Sequence, residues 1–193
     1  MNRAVFIDRD GVITDFGDYS LEKRDFLIRK QDIRFFPKTA EAIRLLNQAN
    51  IEVIVVTNQP QIAMGIITEE NANEINEEIS RQLREQGAKI DAFYYCPHHP
   101  KGIIEKYSFE CDCRKPKPGL LFKASKERGI NLSESYMVGD RIADIKAGNL
   151  AGCKKTIGVR TGYACDDGFK DAVPDEIVDT FYDASQKIAG GDK

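Results

Sequence analysis

The chain has 193 residues, 41% of them hydrophobic, and sets 28 basic side chains against 31 acidic ones for a net charge of −3. That length suits one domain around a single core, and the acidic balance excludes an overall basic footprint for nucleic acid. MNRAVFIDRDG at the N-terminus lacks the apolar centre of a signal peptide, and no apolar run approaches the roughly 18 residues that span a bilayer, so a reducing cytoplasm is the expected compartment.

Ala4–Ile7 (AVFI) is a short apolar run that stops at DRDG, the pattern of a buried strand feeding a loop. Pro37 opens a helix in the manner of a first-turn proline, and that helix runs to about Ala49. Ile51–Thr57 (IEVIVVT) is a second strand, rich in β-branched residues. Thr68 caps the next helix, in which Ala72, Ile75, Ile79 and Leu83 share one face before Gly87 stops it. Ala92–Cys96 predicts a third strand, Tyr136–Asp140 a fourth and Thr156–Arg160 a fifth. Between them, Pro118 opens a helix ended by Gly129, and another covers Arg141 to Leu150.

Strands alternating with helices specify an α/β fold: a doubly wound, mainly parallel sheet covered on both faces. One domain over residues 1–188 is expected, including a loop over 96–113, with a frayed tail over 189–193. Open α/β sheets bind ligands beyond the carboxyl ends of their strands. Asp8, Asp10, Thr57, Cys96 and Asp140 sit at or just past those ends.

Asp8 and Asp10 are two residues apart, so extended chain points both the same way. Adjacent carboxylates repel, and a hard cation such as Mg²⁺ relieves the repulsion. Asp140 and Asp144 in GDRIAD add acid one helical turn apart, Thr57 and Asn58 supply neutral donors, and Arg114, Lys115 and Lys117 bring cations. A lone Asp after a strand is usually a turn residue. DRDG, VVTN, RKPKPG and GDRIAD together instead form an inventory for phosphoryl transfer, with a carboxylate nucleophile and cations for the phosphate oxygens. Arg9, between the two acids, faces either a substrate or solvent.

Three of the five cysteines and both histidines fall in CPHHPKGIIEKYSFECDC. Cys96-x-His98 and Cys111-x-Cys113, separated by twelve residues, offer four tetrahedral ligands for a structural Zn²⁺, with His99 as an alternative to His98. Zinc binding would offset the entropy of ordering a loop of about twenty residues without secondary structure of its own. Cys153 reads as ordinary packing.

These segments resemble the four motifs of the haloacid dehalogenase superfamily of phosphohydrolases: DRDG at 8–11, Thr57 in VVTN, Lys115 in RKPKPG, and Gly139, Asp140 and Asp144 in GDxxxD. The resemblance implies that Asp8 attacks phosphorus and that Asp10 protonates the leaving oxygen and then activates water. It further implies that Asp8, the Asp10 carbonyl and Asp140 hold Mg²⁺, with Asp144 behind them, and that Thr57 and Lys115 steady the phosphoryl oxygens.

CPHHP…CDCRKPKPG, FIDRDGVI, VVTNQ and YMVGD together are similar to the D-glycero-D-manno-heptose 1,7-bisphosphate phosphatases, a branch without a large cap domain. That similarity implies Cys96, His98, Cys111 and Cys113 as zinc ligands. It implies substrate contacts from Thr57, Asn58, Gln59, Arg114, Lys115 and Arg141. The reaction implied is loss of the C7 phosphate on the way to nucleotide-activated heptose for lipopolysaccharide and other surface glycans. A sugar bisphosphate is the expected partner of a monomer, with no nucleic acid and no membrane. The chain departs from the usual family pattern at Pro60 after TNQ, Met64 in IAMG and Arg141 in GDR. Histidinol-phosphate phosphatases share the chemistry, but their zinc loop is usually shorter. A non-catalytic phospho-acceptor would have no need of DxD on the first strand, and a zinc-dependent interaction module for nucleic acid should show a basic, aromatic-bearing face, which an acidic chain without Trp does not suggest.

Overall fold

In the computed structural model, residues 2–15, 27–168 and 170–191 are described. They build six strands, β1 (Ala4–Ile7), β2 (Glu52–Asn58), β3 (Ala92–Cys96), β4 (Tyr136–Gly139), β5 (Lys155–Val159) and β6 (Glu176–Val178). Five helices connect and flank them: α1 (Thr39–Gln48), α2 (Glu69–Glu85), α3 (Gly119–Arg128), α4 (Ile142–Ala151) and α5 (Phe181–Ala189). All strands run parallel in the order β3-β2-β1-β4-β5-β6, a doubly wound α/β sheet.

Alternation along the central strands sorts side chains between two cores. Val5 and Ile7 of β1 and Val53 and Val55 of β2 pack with Ile43, Leu46, Ile75, Ile79, Phe181 and Ile188 from α1, α2 and α5. Ala4, Phe6, Ile54 and Val56 point the other way, onto Leu120, Leu121, Ala124, Ala147 and Ala151 of α3 and α4. Both faces are therefore apolar, and most of the polar chemistry gathers at strand ends and loops, with Asp144 on α4 and Asn76 on α2 joining it.

The five predicted strands are all present within a residue of their expected bounds. The α2 cap forms as read: the Thr68 hydroxyl accepts the Asn71 N–H at 3.1 Å, and Gly87 turns away at φ 74°. Helix α1 starts two residues later than Pro37, because Phe36–Thr39 closes a turn through a 3.2 Å bond and Pro37 sits inside it. Helix α3 starts at Gly119, with Pro118 as its cap. Two elements escaped the sequence reading. Strand β6 is only three residues long, too short to display a period. Helix α5 carries a Thr180–Asp183 capping box and runs through Ala189, the first residue of the expected tail. Residues 192 and 193 of that tail lie outside the described residues. The loop between β3 and α3, expected without secondary structure, contains a 3-10 turn at Glu105–Tyr107.

Among the described residues, no helix is long and apolar enough to cross a membrane.

Candidate active site

Parallel pairing brings the carboxyl ends of β1, β2 and β4 to one edge of the sheet. Ile7 pairs with Val55 on one side and Val138 on the other, so Asp8, Thr57 and Asp140 emerge as neighbours. Asp8 Oδ1 accepts the Arg9 N–H at 2.7 Å and meets Lys115 Nζ at 3.0 Å. Lys115 is itself buried and also reaches Asp144 Oδ1 at 2.6 Å and the Val56 carbonyl at 2.7 Å. Burial works to discharge this ammonium, but Asp144 and Asp8 outweigh it, and its pKa is raised.

Asp140 is fully buried at the end of β4. Its Oδ2 accepts the Tyr163 N–H at 2.8 Å, whereas Oδ1 has no hydrogen-bond partner among the described residues. Burial, then the neighbouring Asp144 and Asp8 charges, push its carboxyl up to about 8. Burial likewise lifts Asp144 to about 6 against the pull of Lys115. Oxygens of Asp8, Asp140 and Asp144 lie within 4.8 Å of one another. Three hard anionic donors, one of them a buried oxygen without a partner, fit a hard divalent cation. Asp144 stands behind the other two, since Lys115 Nζ takes its Oδ1 and the Arg141 N–H donates to its Oδ2 at 3.1 Å.

The Asp10 carboxylate is not part of that group. β1 ends at Ile7, so the extended-chain argument for two parallel carboxylates does not reach Asp10. Its oxygens instead accept from Arg9, Gln59 and Thr14. Arg9 faces neither substrate nor solvent: it is 0% exposed and paired to Asp10 at 2.8 Å. Both expectations fail for one reason, a buried cation must be neutralised and Asp10 is the nearest anion.

Two expected substrate contacts are likewise engaged by the protein. Asn58 Oδ1 accepts the Lys115 N–H and its Nδ2 donates to the Lys115 carbonyl, both at 3.0 Å, strapping the lysine backbone to β2. Gln59 is fully buried, with Nε2 donating to Thr57 Oγ1 and Asp10 Oδ2 at 3.0 Å each. Arg114 is half-buried, and its Nη1 donates to the His98 carbonyl at 3.3 Å. The Arg141 guanidinium lies over the Tyr163 ring, 3.6 Å from its centroid.

The segment after β5 was missed. Thr161 Oγ1 donates to the Gly11 carbonyl at 2.7 Å, and the Cys165 N–H donates to the Asp140 carbonyl at 2.6 Å. A Cβ on Gly162 would lie 2.1 Å from Asp140 Oδ2, and one on Gly11 would lie 2.2 Å from the same oxygen. Both glycines have positive φ, so no larger residue could close over this carboxylate. The available signal was a glycine at the carboxyl end of the fifth strand, in GVRTG.

Cys96 ends β3 opposite Asn58, and its carbonyl accepts the Gln59 N–H at 2.8 Å. Its sulfur lies 3.6 Å from His98 Nδ1 and 3.4 Å from Cys111 Sγ. Cys113 Sγ lies 3.2 Å from each of those two atoms. A tetrahedron with ~2.3 Å metal–sulfur bonds has edges of about 3.8 Å, so the four atoms need only spread slightly to hold Zn²⁺. The hydrogen bond from Cys96, with those from Cys111 and His98, lowers the Cys113 thiol to about 5. His99 turns out of the cluster, its Nδ1 accepting from the Lys101 N–H at 3.1 Å. Two residues past Cys113 comes Lys115, and the Ile103 and Ile104 N–H groups pin the loop to the Ala63 carbonyl at 2.8 and 3.0 Å.

The family profile described as HAD-hydrolase-like matches residues 112–184. D-glycero-β-D-manno-heptose-1,7-bisphosphate 7-phosphatase of Haemophilus influenzae is 39% identical over 93% of this chain and 95% of its own. The enzyme of that name from Pasteurella multocida is 37% identical over 98% of each chain. The D,D-heptose 1,7-bisphosphate phosphatase of B. bronchiseptica, solved with magnesium and phosphate, superposes with a TM-score of 0.81 at 26% identity over 97% of this chain and 98% of its own.

Proposed function

The chain belongs to the D-glycero-β-D-manno-heptose-1,7-bisphosphate 7-phosphatase family of haloacid dehalogenase-like hydrolases, and on that premise we propose that it removes the C7 phosphate of the heptose bisphosphate by way of an aspartyl phosphate. The observation that carries this reading is Asp8, held between the Arg9 N–H and Lys115 beside an Asp140 oxygen that has no partner among the described residues.

An Asp8 oxygen attacks phosphorus while the bond from phosphorus to the sugar oxygen breaks. Asp10 gives that oxygen a proton. Asp10 then takes a proton from water, which attacks the aspartyl phosphate, frees phosphate and restores Asp8. Lys115 and the Thr57 hydroxyl hydrogen-bond the phosphoryl oxygens, and Arg114 and Arg141 offer cations to the remainder of an anionic substrate. Asp8, the Asp10 carbonyl and Asp140 would hold Mg²⁺, which supplies positive charge against the phosphate. Asn58 acts through Lys115 by fixing its backbone, and Gln59 acts through Asp10 and Thr57.

Cys96, His98, Cys111 and Cys113 fit one structural Zn²⁺, which would order the loop that delivers Arg114 and Lys115. A reducing cytoplasm suits these four ligands. Metal analysis of protein purified without chelator is expected to show one zinc per chain, and none would overturn the assignment.

The function is tested with Mg²⁺ and a panel of both anomers of heptose 1,7-bisphosphate, fructose 1,6-bisphosphate and histidinol phosphate. The β heptose anomer is expected to give the highest kcat/KM, at least about tenfold above the others, a margin worth some 1.4 kcal/mol of differential transition-state binding. Preference for histidinol phosphate would sink the proposal.

A further inference from the structure

Arg9 is the largest fully buried side chain among the described residues, although it sits between two acids in DRDG. A guanidinium in that setting needs hydrogen-bond partners, and each of its three nitrogens has one, drawn from three separate segments. Nε donates to both Asp10 oxygens at 3.1 and 3.2 Å, and Nη2 to Asp10 Oδ2 at 2.8 Å. Nη2 also donates to Gln59 Oε1 at 2.8 Å, beyond β2, and Nη1 to Asn76 Oδ1 at 2.9 Å, on α2. Thr14 Oγ1 completes the ring around Asp10 with a 2.9 Å bond to Oδ1.

We propose that Arg9 is a positioning residue for proton transfer, which with Asn76 and Gln59 holds the Asp10 carboxyl at one point beside Thr57. This rests on the reading of Asp10 as the group that protonates the sugar oxygen and then deprotonates water. A carboxyl free to rotate would seldom lie within hydrogen-bond reach of either atom, and proton transfer depends first on that reach. Asn76 is 66 positions from Asp10 in sequence, and it reaches Asp10 through Arg9.

The test uses Arg9→Met and Asp10→Asn of the full chain with heptose 1,7-bisphosphate and p-nitrophenyl phosphate. A sugar oxygen must be protonated to leave, whereas p-nitrophenolate leaves without a proton. Arg9→Met is expected to lower kcat on the sugar substrate about 10²-fold with KM within about threefold. On p-nitrophenyl phosphate it should give a burst near one nitrophenolate per chain and then slow turnover, as Asp10→Asn does, because hydrolysis of the aspartyl phosphate still needs Asp10. Arg9→Lys should recover part of the loss. Equal losses on both substrates without a burst, or wild-type kcat, would overturn the proposal. Should Arg9→Met not fold, Asn76→Ala decides: about a tenfold drop on the sugar substrate with the same burst supports it, and an unchanged kcat overturns it. An impaired Asp10→Asn beside an intact Arg9→Met sinks the Arg9 assignment alone. An unimpaired Asp10→Asn removes the proton-transfer reading and the inference with it.

Discussion

Asp8→Asn is expected to lose at least about 10⁴-fold in phosphate release from heptose 1,7-bisphosphate while remaining folded. The amide has the shape of the carboxylate and its oxygen still accepts the Arg9 N–H, so the end of β1 keeps its geometry. What it lacks is a nucleophilic oxygen, and no aspartyl phosphate can form. The same change should leave the melting temperature of magnesium-free protein unchanged or raised. Asp8, Asp140 and Asp144 crowd three carboxyls into one buried group, and burial together with Asp144 and Asp8 raises the Asp140 carboxyl. Removing one negative charge relieves that repulsion. Steady-state kinetics and a thermal melt by circular dichroism check both parts. A folded variant within tenfold of wild type would exclude Asp8 as the nucleophile.

Lys115→Met should fail in the opposite manner, losing stability as well as turnover. The ammonium neutralises Asp8 and Asp144 at 3.0 and 2.6 Å, and both are buried. Deleting one partner of a buried ion pair leaves charge without compensation, at a cost of about 3–5 kcal/mol. For a chain of this size that corresponds to a fall of roughly 10 °C in melting temperature. Turnover should fall about 10²–10³-fold, the effect of losing one donor to the charge that develops at the phosphoryl group. Adding Asp144→Asn to Lys115→Met should restore part of the stability and none of the activity. The test is thermal melts and kinetics on the single and double variants, and an unchanged melting temperature in Lys115→Met would refute the buried-pair account.

The two cores were legible because β1 and β2 are apolar on both faces, which only a sheet covered on both sides tolerates. Strand ends were legible from abrupt changes such as AVFI to DRDG, and the carboxyl-end rule then placed Asp8, Thr57 and Asp140 at one edge. The spacing of the Cys-x-His and Cys-x-Cys pairs was enough to bring four candidate metal ligands together, and the structure does group them. Helix α5 was less legible, since its Thr180–Asp183 cap follows a three-residue strand without period.

The tertiary structure decided how the polar side chains share partners. DRDG reads as two acids flanking a free cation, yet Arg9 is folded inward because Gln59 and Asn76, from distant segments, wait to receive it. VVTNQ reads as a row of substrate donors, yet Asn58 closes on the Lys115 backbone 57 positions away and Gln59 on Asp10 49 positions away. Gly162 became visible as part of the site only when the chain after β5 lay over Asp140. Local residue order by itself determined which chemistry gathers at the sheet edge, through strand period and ligand spacing. Which of those groups stay open to a phosphate and which are saturated by the protein follows from long-range hydrogen bonds, because a buried donor or acceptor takes whatever partner the fold places within reach.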